Sequence, residues 1–323
     1  MPDDPWLTII GIGEDGQNGL APASLAALQR AEVVFGAARH LTVLGELLGA
    51  LDVQCQTWPV PFSEGIEKLI AHRGRQVVML ASGDPFWFGA GAVIAQHLAP
   101  GEWRNLPAAS VFSLIAGRLG WPLQTTVCVG LHATPLATLY PHVAPGVRAI
   151  ALLRDGAAVA ALAGYLAGNG LGASDMYVFE AVGGERERMR KATAATYDLE
   201  DVVHPVTVAV VCRGDGPYVP AASGRPDAWF EHDGQITKRP LRAMTLSALA
   251  PIGGELLWDV GAGSGSISIE WLLAHPSCRA IAIEADTVRA ARVIGNAERL
   301  GVAGRLLLIE GRAPDALAIR DCR

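Results

Sequence analysis

The chain has 323 residues, half of them apolar, eight tryptophans and a formal net charge of −6. That apolar content suffices for two or three cores of ordinary domain size, whereas the negative charge argues against a nonspecific nucleic-acid surface. No apolar run reaches the roughly 18 to 20 residues of a membrane span, and the acidic N-terminus is unlike a signal peptide. We therefore expect a cytoplasmic metabolic enzyme of several domains, without a nucleic-acid or membrane partner.

The cysteines give no indication of a metal site or of disulfides. All five are scattered, without a CxxC pair or a neighbouring histidine cluster: Cys55, Cys128, Cys212, Cys278 and Cys322. We interpret them as reduced, structural thiols, and no metal is expected.

Through the first 213 residues, apolar runs typical of buried strands alternate with stretches of helical periodicity, which indicates α/β construction with parallel pairing. Strands of a first subdomain, residues 1–145, are predicted at 7–13, 31–36, 77–83 and 125–131. A second subdomain, residues 146–213, has predicted strands at 148–154, 175–183 and 205–213, with a helix that ends near Asn169.

The segment 214–236 is rich in Gly, Pro and Asp and has neither helical nor strand periodicity, so it predicts a linker. Residues 237–323 form a third unit with three strand signals and helical stretches between them. Three strands make only part of a sheet, which leaves an unpaired edge and an uncovered apolar face. We therefore expect a partial domain.

The third unit begins with a strand, a glycine-rich turn and a helix, in ELLWDVGAGSGSISIEWLLA. Glycines at such a turn let the backbone approach a ligand closely, and Glu284, at the end of the next predicted strand, can accept both hydroxyls of an adenosine ribose. A merely structural turn is the competing interpretation, and Asp259, Glu284 and EGRAP at 310–314 weigh against it. The predicted cofactor contacts are Gly261, Ala262, Gly263, Ser264, Gly265, Glu284 and Ala313.

A Gly-Asp-Pro sequence follows an earlier predicted strand, in MLASGDPFWFG at 79–89. Such a loop offers backbone donors and one carboxylate, and we predict that Gly83, Asp84 and Trp87 bind a cofactor. The competing interpretation makes Gly83 and Pro85 turn residues, Asp84 a helix cap and the aromatic residues core. The residues alone leave both interpretations open.

Three segments resemble the tetrapyrrole methylases in order and spacing: GIGEDG at 11–16, ASGDPFWFG at 81–89 and LPAASVFSLIAGRLGWP at 106–122. The resemblance spans about residues 6–213 and implies the two-domain class III methyltransferase fold. It also implies that S-adenosylmethionine lies folded along the Gly-Asp-Pro loop with the macrocycle above it, and Gly13 is a candidate substrate-binding residue. The sequence departs from the family's GxGPG loop, because Glu14 and Asp15 replace Pro-Gly.

TKRPLRAMTLSAL, followed by VGAGSG, is similar to the start of the cobalt-precorrin C-15 methyltransferase and decarboxylase family, which has a class I Rossmann-like fold. This likeness implies that Thr237 contacts S-adenosylmethionine. The two modules in this order resemble the fused precorrin methyltransferases of cobalamin biosynthesis. In that family the first module methylates C-5, and the second methylates C-15 with loss of the C-12 acetate carboxyl. Only the start of the second module is recognised here, so its acceptor site is expected to be incomplete.

A tetrapyrrole substrate carries many carboxylates, which require Arg and Lys donors. Lys238, Arg239 and Arg242 are the candidates, and solvated charges at a helix start are the competing interpretation. His132, at a predicted strand end near the cleft, is the candidate catalytic side chain. No covalent nucleophile is expected, because methyl transfer from a sulfonium is a direct displacement in which alignment supplies much of the rate.

Two other functions are compatible with the sequence. A tetrapyrrole methylase relative that acts on diphthine or ribosomal RNA would keep the fold, but the second methyltransferase module argues against it. A noncatalytic scaffold that binds S-adenosylmethionine is the other, and only the partial third unit favours it. The resemblance also allows a homo-oligomer.

Overall fold

The computed structural model describes residues 5–220 and 222–318. Within these residues the chain is a mixed α/β protein with three sheets. It divides into two compact units: unit 1 comprises the residues up to His132, Arg148–Ala163 and Asp175–Val211, and unit 2 comprises Ala133–Val147, Gly164–Ser174 and the residues from Cys212. Cys322 lies outside the described residues. No helix in either described stretch is long and apolar enough to cross a membrane.

Strands and helices alternate along much of the chain, as predicted, but the last three strands of unit 1 follow one another without an α-helix between them. The strands are β1 (Leu7–Ile12), β2 (Val33–Gly36), β3 (Gln54–Thr57), β4 (Val77–Ser82), β5 (Trp103–Leu106), β6 (Val127–Gly130), β7 (Arg148–Leu153), β8 (Asp175–Glu180), β9 (Arg188–Thr193), β10 (Val206–Val211), β11 (Leu256–Val260), β12 (Arg279–Glu284) and β13 (Leu306–Glu310). The α-helices are α1 (Pro22–Arg30), α2 (Ala38–Val43), α3 (Gly45–Ala50), α4 (Glu64–Ile70), α5 (Ala90–Ala95), α6 (Val111–Leu119), α7 (Gly156–Gly168), α8 (Arg239–Leu249), α9 (Ser266–Ala274) and α10 (Thr287–Arg299).

The first sheet of unit 1 is parallel and has the strand order β3-β2-β4-β1-β5. Its strand β1 is buried along its whole length. Leu7 and Ile9 pack in one apolar cluster, whereas Ile10 and Ile12 pack in another. Because successive side chains of a strand point to opposite faces, both faces of the sheet are covered. This double coverage explains the unbroken apolar runs in the sequence.

The second sheet of unit 1 has the order β6-β7-β10-β8-β9, with β6 parallel to β7 and antiparallel pairing elsewhere. Two expectations are wrong here, and the first is parallel pairing, because β7, β8, β9 and β10 pair antiparallel. The strand predicted at 125–131 as the last of the first subdomain is β6, and it pairs with β7 in this second sheet. The strands β3, β5 and β9 have no counterpart among the sequence predictions, and all three lie at sheet edges with mostly half-buried or exposed residues.

Unit 2 contains a parallel sheet of order β11-β12-β13. One face shares a core with the helices, including Ile269 and Leu272 of α9 and Ala280 of β12. On the opposite face Val260 and Leu307 remain 51% and 48% exposed. The central strand β12 is nevertheless buried on that face, so the uncovered apolar face expected of three strands is present only in part.

The segment 214–236, predicted as a linker, is irregular in its described residues apart from one 3-10 turn at Asp227–Trp229. It is nevertheless packed. Phe230 is buried in the core of unit 2, and the backbone N–H groups of Gly224 and Arg225 donate to the Glu270 carboxylate at 2.6 and 2.9 Å. Composition predicted the irregular backbone, but it did not show which side chains hold that backbone in place.

Candidate active sites in the two units

The Gly-Asp-Pro loop of unit 1 starts where β4 ends. The N–H of Gly83 donates to the Ile12 carbonyl at 2.8 Å, and its carbonyl accepts from the Ala108 N–H at 3.1 Å. Gly83 has φ +54°, in the left-handed region that favours glycine. A Cβ at Gly11 would collide with the Gly83 carbonyl oxygen. The loop is therefore fixed against the strand ends by backbone contacts that leave no room for a side chain at Gly11.

Asp84 and Trp87 have structural contacts and also face a cavity. The Asp84 carboxylate accepts from the Phe86 N–H at 2.9 Å, and its carbonyl accepts from the Trp87 N–H at 3.1 Å. The Trp87 ring packs on Phe112 with centroids 5.0 Å apart. Asp84 therefore stabilises the turn with one carboxylate oxygen, and its other carboxylate oxygen can accept from a ligand.

A cavity of about 750 Å³ in unit 1 brings together five of the predicted site residues. Its volume is typical of small-molecule sites. These lining residues are Gly13, Gly83, Asp84, Trp87 and His132. His132 is exposed, and partial desolvation lowers its pKa. Whether these residues bind ligand stays a prediction, but they share one cavity as the predicted cleft requires.

A polar cluster that the sequence analysis missed also lines this cavity. Glu14 follows β1, Arg39 and His40 follow β2, and Ser82 ends β4. Arg39 is ion-paired with Glu14, and its Nη2 donates to Ser82 Oγ at 2.8 Å and to His40 Nε2 at 3.1 Å. The sequence could have predicted this cluster, because its residues follow predicted parallel strands and the carboxyl ends of such strands meet at one edge of a sheet.

His40 is the buried member of that cluster. Burial and the Arg39 charge lower the pKa of His40 to about 4. Since a guanidinium can only donate, His40 Nε2 accepts from it, so the imidazole is neutral. The Ser82 hydroxyl lies 2.9 Å from the same nitrogen and can only share that nitrogen's single lone pair with Arg39. Arg39 is therefore the cation of the cluster, and it donates to Glu14, His40 and Ser82.

The glycine-rich turn of unit 2 joins β11 to α9. Gly261, Gly263 and Gly265 have φ of +81°, +61° and +74°. The Glu284 carboxylate accepts from the Gly263 N–H at 2.7 Å, and its other oxygen accepts from the backbone N–H groups of Ala285 and Asp286 at 3.0 Å. The structure therefore brings the turn and Glu284 together, as their order in the sequence predicted.

Other predicted residues lie around this turn. Asp259 accepts from Ser268 Oγ at 2.6 Å, and burial raises the pKa of Asp259. Ser264 is buried, and its Oγ has no hydrogen-bond partner among the described residues. Ala313 is half-buried in the segment after β13, and within that segment the Gly311 N–H donates to the Glu284 carbonyl at 2.9 Å. Ala262 lies within the turn, where its N–H donates to the Ile283 carbonyl at 3.0 Å.

The predicted substrate donors of unit 2 separate into two groups. Thr237, Lys238 and Arg239 are exposed at the start of α8. Arg242 contradicts its prediction as a pocket donor, because its side chain is fully buried. Its guanidinium donates to Glu270 at 2.6 Å and to Asp227 at 3.0 Å, and also to the Thr237 carbonyl. A side chain so occupied is part of the core of unit 2.

Both units match family models. Residues 6–198 match the Tetrapyrrole (Corrin/Porphyrin) Methylases, and residues 228–321 match the Precorrin methyltransferase domain. Among solved structures, the cobalamin biosynthesis precorrin-6Y methylase from Archaeoglobus fulgidus is 23% identical, with a TM-score of 0.50 over 65% of this chain and 98% of that one. This likeness supports the fold of unit 1. Fold and loop together define a methyltransferase of the tetrapyrrole methylase class.

Two relatives extend over nearly the whole chain. A precorrin-6Y C(5,15)-methyltransferase (decarboxylating) from a Sinorhizobium species is 49% identical over 97% of this chain and 76% of its own length. A protein of the same name from Mycobacterium tuberculosis is 37% identical over 96% of this chain and 77% of its own length. The chain belongs to the precorrin-6Y C(5,15)-methyltransferase (decarboxylating) family.

Proposed function

We propose that each of the two methyltransferase modules transfers one methyl group from S-adenosylmethionine to a precorrin macrocycle. The first module, residues 1–213, would methylate C-5, and the second, residues 237–323, would methylate C-15 and remove the carboxyl of the C-12 acetate. The observation that carries the proposal is the unit 1 cavity, where the Gly-Asp-Pro loop and a polar cluster from three strand ends line one volume. Membership of the family supplies the reaction class.

In unit 1 the residues act by positioning. The sulfonium of S-adenosylmethionine supplies the methyl group, and an electron-rich meso carbon of the reduced macrocycle is the nucleophile. Backbone hydrogen bonds to Ile12 and Ala108 fix the loop at Gly83. The remaining polar groups of the loop are therefore already in position to bind S-adenosylmethionine. Correct alignment is worth on the order of 7 to 11 kcal/mol at best. No covalent intermediate on the protein is therefore needed.

In unit 2 the turn and Glu284 form the donor site. The two carboxylate oxygens have four lone pairs, and three of these accept from backbone N–H groups in the turn and after β12, so Glu284 can still accept from one ribose hydroxyl. The open space at Gly261 and Gly263, where an added Cβ would meet nothing within 4 Å, permits the close approach of a nucleoside. Ala313 and Thr237 are proposed as further contacts.

Decarboxylation at C-12 needs an electron sink, which the conjugated imines of the macrocycle supply. Lys238 and Arg239 are exposed and without competing ion pairs among the described contacts, and we propose them as donors to substrate carboxylates.

His132, at the cavity of unit 1, is proposed as the acceptor of the proton released from the methylated carbon. Its lowered pKa keeps the imidazole neutral near pH 7.

The proposal is tested by incubating the purified chain with S-adenosylmethionine and precorrin-6B and measuring the mass of the tetrapyrrole. A gain of two methyl groups with loss of one carboxyl is the result expected if both modules act. A gain of one methyl with all carboxyls retained would limit the activity to unit 1. An unchanged mass, with both ligands shown to bind, would contradict the proposal.

A further inference from the structure

The Arg39 guanidinium faces the unit 1 cavity with unused hydrogen-bonding capacity. Its side chain is 28% exposed. A guanidinium has five N–H donors in one plane. One is directed to Glu14 and two to Ser82 and His40. The remaining two have no partner within the part of the chain that the structure describes.

This arginine is held in place before any ligand arrives. Glu14 and Ser82 are 25 and 43 residues away in sequence and fix two of its nitrogen atoms. Ordering a long side chain normally costs binding energy, and here the fold has already ordered it. Neutral His40 completes the arrangement because it can only accept from the guanidinium. These features distinguish Arg39 from a solvated surface arginine.

The charges around Arg39 favour an anion. Glu14 is shared with a second arginine, Arg186, whose Nη2 lies 3.6 Å from it. Burial and the Arg186 charge lower the pKa of Arg39. His204 lines the same cavity, and burial and the Arg39 charge lower the pKa of His204. One carboxylate between two arginines leaves an excess of positive charge at this wall.

We infer that Arg39 is a specificity residue that binds a carboxylate of the ligand in this cavity, an inference that rests on the proposed function. Two sources of carboxylate are available, the acetate and propionate groups of the tetrapyrrole and the methionine end of S-adenosylmethionine. The sulfonium and ammonium groups give S-adenosylmethionine a net positive charge. The tetrapyrrole, a polyanion, is therefore the better electrostatic match.

The test measures two affinities in the full chain, for uroporphyrin by fluorescence titration and for S-adenosylmethionine by calorimetry. Arg39→Gln removes the charge, Arg39→Lys keeps it without the planar donor set, and Arg30→Gln makes the same charge change at an exposed residue in the last turn of α1. Loss of a charged hydrogen bond predicts roughly ten- to hundred-fold weaker uroporphyrin binding by Arg39→Gln. Arg39→Lys should lie between, and Arg30→Gln should match the wild type.

The two ligands separate the outcomes. A loss confined to uroporphyrin supports the tetrapyrrole as the source, and a loss confined to S-adenosylmethionine supports the methionine carboxylate. Unchanged affinities for both ligands in Arg39→Gln and Arg39→Lys would overturn the inference while leaving the proposed function intact. A wild-type chain that binds S-adenosylmethionine but not uroporphyrin would contradict the proposed tetrapyrrole acceptor, and the S-adenosylmethionine affinity of Arg39→Gln would then decide the inference by itself. If Arg39→Gln fails to fold, Arg39→Lys decides the question.

Discussion

The two units each contain an arginine–glutamate cluster, and the clusters have opposite settings. In unit 1, Arg39 and Glu14 lie on a cavity wall with side chains 28% and 8% exposed. In unit 2, Arg225 and Arg242 share Glu270 in the core, with side chains 2%, 0% and 0% exposed. The same residue types therefore line a cavity in one unit and lie in the core of the other. Burial and partners separate these roles, whereas residue type does not.

The core cluster should be the more sensitive of the two to a change in charge. Glu270→Gln leaves the buried Arg225 without a compensating charge and Arg242 with Asp227 alone, and breaking a buried ion pair in this way costs about 3 to 5 kcal/mol. We expect a loss of that size in the free energy of unfolding, measured by urea denaturation. Glu298→Gln, at an exposed position of α10, is the matched control. A loss below about 1 kcal/mol would show that the core cluster is not the stabilising feature.

The donor loop of unit 1 depends on a glycine outside the loop itself. Gly11→Ala would place a Cβ against the Gly83 carbonyl and displace the loop, and a displacement of about 1 Å can cost roughly a hundred-fold in function. We expect a loss of that order in C-5 methylation. Gly49→Ala in α3, where an added Cβ meets nothing within 4 Å, should have no effect. Equal rates for both variants would contradict the placement of the donor at this loop.

The donor turn of unit 2 is best tested at its carboxylate. Glu284→Gln keeps an oxygen that can accept from the Gly263 N–H but loses the charge that strengthens a bond to a ribose hydroxyl. We expect about ten- to hundred-fold weaker S-adenosylmethionine binding at unit 2, measured by calorimetry. Binding at unit 1 should not change, and Glu298→Gln again serves as control. Unaltered binding at both units would exclude Glu284 as a ribose contact.

The cavity cluster also predicts a difference in pH dependence. The pKa of His40 is about 4 in the folded chain and about 6.5 in an unfolded one. Between these values the unfolded chain binds more protons, so His40 lowers stability as the pH falls. From pH 7 to pH 5 this costs about 1 to 2 kcal/mol. His40→Gln should flatten the pH profile of urea unfolding by that amount. Parallel profiles for wild type and His40→Gln would contradict a neutral, buried His40.

Sequence reasoning was accurate where local pattern determines structure. Strands buried on both faces, such as β1 and β4, show unbroken apolar runs, and the turn glycines at Gly83 and Gly261 mark strand ends. Edge strands such as β9, with the sequence RMRKAT, lack that signal because their residues face solvent. The strand β6 was found but assigned to the wrong sheet, since pairing partners are not written in a strand's own residues.

The errors at the sites have the same origin. Arg242 was predicted as a donor to the substrate carboxylates, but Glu270, 28 residues away, holds it in the core. Arg39 was missed because its partners are 25 and 43 residues distant. Long-range pairing decides whether an arginine is buried or available, and a single sequence does not show it.

The most direct test of two donor sites in one chain uses S-adenosylmethionine with an isotopically labelled methyl group. The tetrapyrrole product is analysed by nuclear magnetic resonance for wild type, Gly11→Ala and Glu284→Gln. We expect label at C-5 and C-15 with wild type, label at C-15 without C-5 for Gly11→Ala, and the reverse for Glu284→Gln. Label at both carbons in undiminished amount for each variant would contradict the assignment of one methyl transfer to each unit.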